Sequence, residues 1–147
     1  MIIIPDANSV ISALIKKGKA LDLFEWNDFT KEINLTAPEY LSIEIRNNLP
    51  LIMGKSTLSE FEVIWLLEKI ESQIEFIHFS KFEKFIPKAI KISPPDDFQY
   101  VALALFLKSK GIDARILSND KELLEALTKS EIKGVTLHGL LKEIKLV

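Results

Sequence analysis

Short β-branched runs alternating with longer stretches of helical periodicity constrain this chain more than any other feature. Ile2-Ile3-Ile4, ended by Pro5 and Asp6, reads as a buried strand. Glu32 to Thr36, Glu75 to Phe79, Ala114 to Leu117 and Gly134 to Leu137 read as further strands. Between them, Val10, Ile11, Leu14 and Ile15 recur at helical spacing until Gly18, and Ala20 to Trp26 forms a second short helix. Pro38 to Leu49 carries Leu41, Ile45 and Leu49 on one helical face. Thr57 with Glu60 makes a capping box before Phe61 to Leu67, and Phe82 to Ile90 and Asp120 to Thr128 are also expected to be helical. Ser93-Pro94-Pro95-Asp96-Asp97 opens a helix whose Tyr100 to Leu107 segment is apolar nearly all round, which requires a central, buried position. Strands alternating with helices imply a three-layer α/β/α sandwich around a central, mostly parallel sheet. No repeat or linker divides residues 1–147, so a single domain is expected.

Composition narrows the chemistry. The chain has no cysteine, which excludes disulfides, thiolate zinc sites and cysteine nucleophiles and fits a reducing, cytoplasmic setting. The apolar start lacks the basic lead and long run of a signal peptide, and no uncharged stretch is long enough for a bilayer, so no membrane partner is expected. A net charge of -2 is not that of an obvious polyanion binder, although Lys16, Lys17 and Lys19 form a local basic cluster, most simply a solvated helix end. Phosphate binding through metal ions needs acids instead.

Those acids fall in suggestive places. In open parallel sheets, sites form outside the carboxyl ends of the strands. Asp6 follows the first strand and Asp120 follows the strand ending at Leu117. Were those strands neighbours, their ends would lie roughly 5 Å apart, and two such carboxylates repel unless a proton or cation lies between them. Each also has a plain reading as a helix cap: Asp6 before the helix near Asn8, and Ser118-Asn119-Asp120 before the next. Asp96 and Asp97 stand at the mouth of the apolar helix, where capping accounts for one acid more readily than two. Glu44 flanks the Leu41–Ile45 stripe, and a surface salt bridge is its simplest role on periodicity. Together the four would suit a hard cation such as magnesium.

Four segments, in order, resemble the signature stretches of PIN domains: Asp6 to Leu14, Pro38 to Ile45, Pro95 to Ala104, and Leu117 to Leu124. The resemblance spans nearly the whole chain. It implies a metal-dependent endoribonuclease, with Asp6, Glu44, Asp97 and Asp120 as the four acidic positions. Asp6 and Asp97 would hold Mg²⁺ or Mn²⁺, with Asp120 and Glu44 completing the shell. Asn8 matches a residue supporting the first acid, Ser118 a hydroxyl residue beside the last, and Asp96 an accessory or cap. Small prokaryotic members are often VapC-type toxins, which implies an RNA substrate, a small antitoxin protein as partner and a homodimer. A processing nuclease outside a toxin system and a catalytically silent binding module are the alternatives. Trp65 and Phe82 could serve a dimer interface or the core. Pro5 departs from the apolar strand residue usual before the first acid, so strand one is expected to end early.

Other readings fit less well. Gly54-Lys55-Ser56-Thr57 looks like the tail of a P-loop, but Leu49 stands where the first glycine belongs. A phosphatase using an Asp-x-Asp pair would need an acid at Asn8, and a response-regulator receiver would need paired acids there and a late lysine. His78 and His138 lie outside the motif segments and are expected to be structural or surface residues.

Overall fold

The computed structural model describes residues 1–146. In chain order its elements are β1 (Ile2–Pro5), α1 (Ala7–Ile15), α2 (Lys19–Thr30), β2 (Asn34–Pro38), α3 (Tyr40–Asn47), α4 (Leu49–Lys55), α5 (Glu60–Glu71), β3 (Ile74–Ile77), α6 (Phe79–Phe82), α7 (Ile86–Ile92), α8 (Phe98–Ser109), β4 (Ala114–Leu117), α9 (Lys121–Thr128), β5 (Lys133–Val135) and α10 (Leu137–Glu143). The strands form one five-stranded sheet in the order β3-β2-β1-β4-β5. Every pairing is parallel. α1 packs against α2 to α5, and α8 packs against α6 and α7, so two helical layers flank the sheet as the right-handed rule for parallel crossovers requires, which is the expected three-layer sandwich. No helix among the described residues is long and apolar enough to cross a membrane.

The apolar helix behaves as its composition demands. In α8, Tyr100 through Leu105 and Leu107 are all buried, and the helix packs on β2, β4 and α7. Burying such a stripe is the dominant favourable term in folding a layer of this kind.

Several boundaries differ from expectation. Strand one does not end early: Pro5 pairs with Leu117, and the Asp6 N–H donates to the Leu117 carbonyl at 3.1 Å. The missing Pro5 donor costs no ladder bond, because the β1–β2 register stops at Ile3↔Leu35. Pro38 to Leu49 is not one helix. Pro38 ends β2, and Pro50, which cannot supply an interior helical N–H, forces a fresh start at α4. The capping box belongs to Ser59 and Glu62 rather than Thr57 and Glu60, since Thr57 is tied through its N–H to the Ile15 carbonyl. β3 stops at Ile77 and Phe79 is helical, while Phe82 falls in α6 and its former helix restarts at Ile86. Leu137 opens α10 instead of closing β5, because Thr136 caps that helix through the Gly139 N–H.

Candidate functional site

The strand order reverses direction between β1 and β4, so the crevice outside their carboxyl ends is the natural place for a site. The chain leaves both strands there through acids. Asp6 is nearly buried, at 4% exposure, and its backbone is extended. Its Oδ1 accepts from the Ser9 N–H at 2.9 Å and the Ser9 hydroxyl at 2.7 Å, and that hydroxyl also reaches the Leu117 carbonyl at 3.1 Å. Ser9 thus stitches the end of β1 to the end of β4. Asn8, beside it, is exposed, and Ser9 supplies a support for Asp6 that the sequence reading did not name.

On the β4 side, Ser118 is fully buried, and its hydroxyl accepts the Asp120 N–H at 3.0 Å. Asp120 is exposed and caps α9, accepting from the Glu122 N–H at 2.9 Å. Capping and a place in the crevice are therefore compatible at Asp6 and at Asp120.

Asp97 differs. It ends a short 3-10 turn, Pro95–Asp97, and stands at the N-cap of α8, yet its side chain makes no capping bond. Burial, followed by the charges of Asp120, Asp6, Glu44 and Asp96, pushes its carboxyl up to about 7. Glu44 projects from α3 and accepts the Tyr100 hydroxyl at 2.7 Å. Burial lifts its pKa most, the Tyr100 bond pulls it down, and Asp6 and Asp96 lift it again. Tyr100, buried on α8, is itself driven up by burial and by Glu44. Tyr40 is raised in turn by burial first, then by Glu44, Asp96 and Asp97.

The charges of Asp6, Glu44 and Asp120, with exposed Asp96, all act on Asp97, so the fold gathers these acids around it. The side chains of that group carry only oxygen donors, which suits a hard cation. Among the described residues no three acids or histidines converge into a ready-made metal cage, so a cation held here would keep several waters, as magnesium commonly does. His78 caps α6 through the Ser80 N–H, and His138 is exposed, so both stand outside the group.

A family model described as "PIN domain" matches residues 4–137, which include all four acids. The chain is a PIN domain. No curated protein matches it. Among solved structures, this PIN domain is similar to VapBC2 from Rickettsia felis, determined bound to a DNA fragment from its promoter. The TM-score is 0.60 at 15% identity, over 92% of this chain and 98% of the other. It is also similar to PAE2754 from Pyrobaculum aerophilum, with a TM-score of 0.64 at 14% identity over 99% and 90% of the two chains. At such identities the likeness is one of fold.

Sequence reasoning missed Ser9, Tyr100 and Tyr40. Ser9 lies three residues after Asp6, the spacing at which a helix residue returns to its cap, so a signal existed. Tyr100 was counted only as core, and nothing local in the sequence points its hydroxyl toward α3.

Proposed function

We propose that this PIN domain is a divalent-metal-dependent endoribonuclease of the VapC-type toxin class. One observation carries the reading: the Asp97 carboxylate, uncapped and partly buried, lies under the charge of four other acids, and among the described residues no cation is in hydrogen-bonding or ion-pair contact with it. Such an arrangement opposes stability, and carboxylates perturbed in this way cluster at sites that receive a cation. Asp6 and Asp97 would hold Mg²⁺ or Mn²⁺, with Asp120 and Glu44 completing the shell. When bound, such an ion supplies an activated water and offsets the charge that develops in phosphodiester cleavage.

The chain's own residues do the positioning. Ser9 fixes the Asp6 carboxylate, Ser118 fixes the backbone of Asp120, and Tyr100 holds Glu44 from below. The antitoxin would be a small DNA-binding protein, a reading supported by the fold shared with the Rickettsia complex. RNA as substrate and a homodimer are part of the same reading. Trp65, half-exposed on α5, remains available to an interface, while Phe82 is wholly buried in the core.

Two measurements test the site. Millimolar Mg²⁺ or Mn²⁺ should raise the melting temperature relative to EDTA by mass action on the folded state, and an unchanged Tm with both metals would remove the metal site. Asp97→Asn should abolish cleavage of single-stranded RNA with the fold intact, and full activity in that variant would place the chemistry elsewhere. The toxin assignment predicts growth arrest when the chain is expressed and relief when an adjacent small reading frame is co-expressed; no arrest on expression would overturn it.

A further inference from the structure

A cavity of about 310 Å³ opens beside the acid group, between α1, α2 and the loop that follows β4. Its volume lies at the small end of the roughly 300–1,000 Å³ typical of small-ligand sites. Leu23, Phe24 and Leu117 make its apolar floor, and Asn8, Asn119 and Asp120 stand on its wall. Among the described residues no lysine, arginine or histidine lines it, and its one formal charge is the Asp120 carboxylate. A phosphate or carboxylate ligand would therefore meet repulsion without compensation. A flat, neutral, partly apolar group would not.

The polar wall has a defined sense. Asn119 Oδ1 accepts the Leu137 N–H at 3.1 Å, which fixes the amide so that its Nδ2 donors are the part left to offer. Such a donor selects a ligand carrying a ring nitrogen or carbonyl acceptor. Asn8 is exposed, and among the described residues its hydrogen bonding is through its backbone carbonyl, which the Ser12 hydroxyl engages at 2.8 Å. Its side-chain amide can both donate and accept. Paired amides above an apolar floor match the way unstacked bases are read, by contact with their faces and hydrogen bonds to their edges. Lys16 and Lys17 are exposed on the turn joining α1 to α2 and Lys19 is exposed at the start of α2, so positive charge lies outside the cavity rather than in it.

We propose that this cavity binds one unpaired nucleobase of the substrate, next to the bond that is cut. The proposal rests on the ribonuclease reading for its role in selecting a cleavage position, but the cavity can be tested without cleavage. The ¹⁵N-labelled full chain is titrated with adenosine, cytidine, guanosine and uridine in EDTA, following the Asn8 and Asn119 side-chain amide resonances. One nucleoside should move both resonances and bind on the order of tenfold more tightly than the weakest. Ser12→Phe, introduced at an exposed α1 position on the cavity wall, should remove the response, as should Asn119→Ala. On a randomised oligoribonucleotide pool with Mg²⁺, Ser12→Phe should flatten base preference beside the cut by a similar factor. Wild-type amides that ignore all four nucleosides, or a Ser12→Phe variant that responds as wild type does, would overturn the proposal. Nucleoside binding without cleavage under any metal would sink the nuclease reading and sustain the cavity. Cleavage without a nucleoside response would do the reverse.

Discussion

Asp6 and Asp97 occupy the same nominal position, the residue before a helix, and the backbone treats them in opposite ways. Asp6 sits at φ -80°, ψ 170°, extended enough for its carboxylate to fold back onto Ser9. Asp97 sits at φ -110°, ψ 1°, the close of a 3-10 turn, where the side chain is carried away from the orphan N–H groups of α8. A side-chain cap needs the extended conformation, so the turn imposed by Pro94 and Pro95 is what leaves Asp97 uncapped. One acid stabilises its helix, and the other is held against its neighbours' charge. The difference teaches that the crevice has a half whose acid is satisfied by hydrogen bonds, built from β1, β4 and Ser9, and a half whose acid is not. Local choices that oppose stability are expected where function resides.

The largest expected effect tests whether both halves serve one site. Asp6→Asn and Asp97→Asn should each lower RNA cleavage on the order of a thousandfold, since metal charge stabilisation is worth several kcal/mol. Their stabilities should then part. In EDTA, Asp6→Ala should cost about 1 kcal/mol in urea unfolding through loss of the cap, whereas Asp97→Ala should cost nothing or stabilise. Equal losses for the two would erase the distinction between the halves.

Most of the crevice was readable in the chain, for identifiable reasons. Asp6 and Asp120 announce themselves because strand ends in a parallel sheet are where sites form, and Asp97 because it opens the one helix that must be central. Capping could not be told from catalysis at these positions because both place an acid before a helix. Only the dihedral angles separate Asp97 from Asp6. Glu44 was invisible to periodicity and rested on family resemblance alone, because its partner Tyr100 lies 56 residues away. The breaks at Pro50 and Leu137 were also legible in principle, but the apolar spacing of Leu41, Ile45 and Leu49 continues through the first of them and hides it.

Tyr100 sharpens the comparison from the unsatisfied side. Its hydroxyl is the one bond that holds Glu44 down against burial. Tyr100→Phe should weaken the fold by about 1.5–3 kcal/mol, typical of a hydrogen bond to a charged group. The Glu44 side-chain carboxyl resonance should also titrate at higher pH than in the wild type. A Glu44 titration unchanged by the substitution would mean that solvent, not Tyr100, sets its charge.

The smallest expected effect is a pH dependence carried chiefly by Asp97. Its carboxyl is raised from an ordinary 3.8 to about 7, first by burial and then by Asp120, Asp6, Glu44 and Asp96. Without divalent metal, the folded chain therefore keeps a proton that the unfolded chain has released between those two values. Stability linked to this group is full below about pH 4 and is lost as pH rises through about 7. Asp97 is half-exposed, so solvent screening reduces the effect, and a fall in Tm of a few degrees is the expected order. Asp97→Asn should flatten that part of the Tm profile in EDTA, whereas Asp6→Asn should leave it in place but smaller, since Asp6 is one of the charges acting on Asp97. Saturating Mg²⁺ should flatten the wild-type profile in the same window, because a cation replaces the proton as the partner of the carboxylate. A wild-type slope that survives both the Asp97→Asn substitution and the metal would belong to another group, and Asp97 would then be no less satisfied than Asp6.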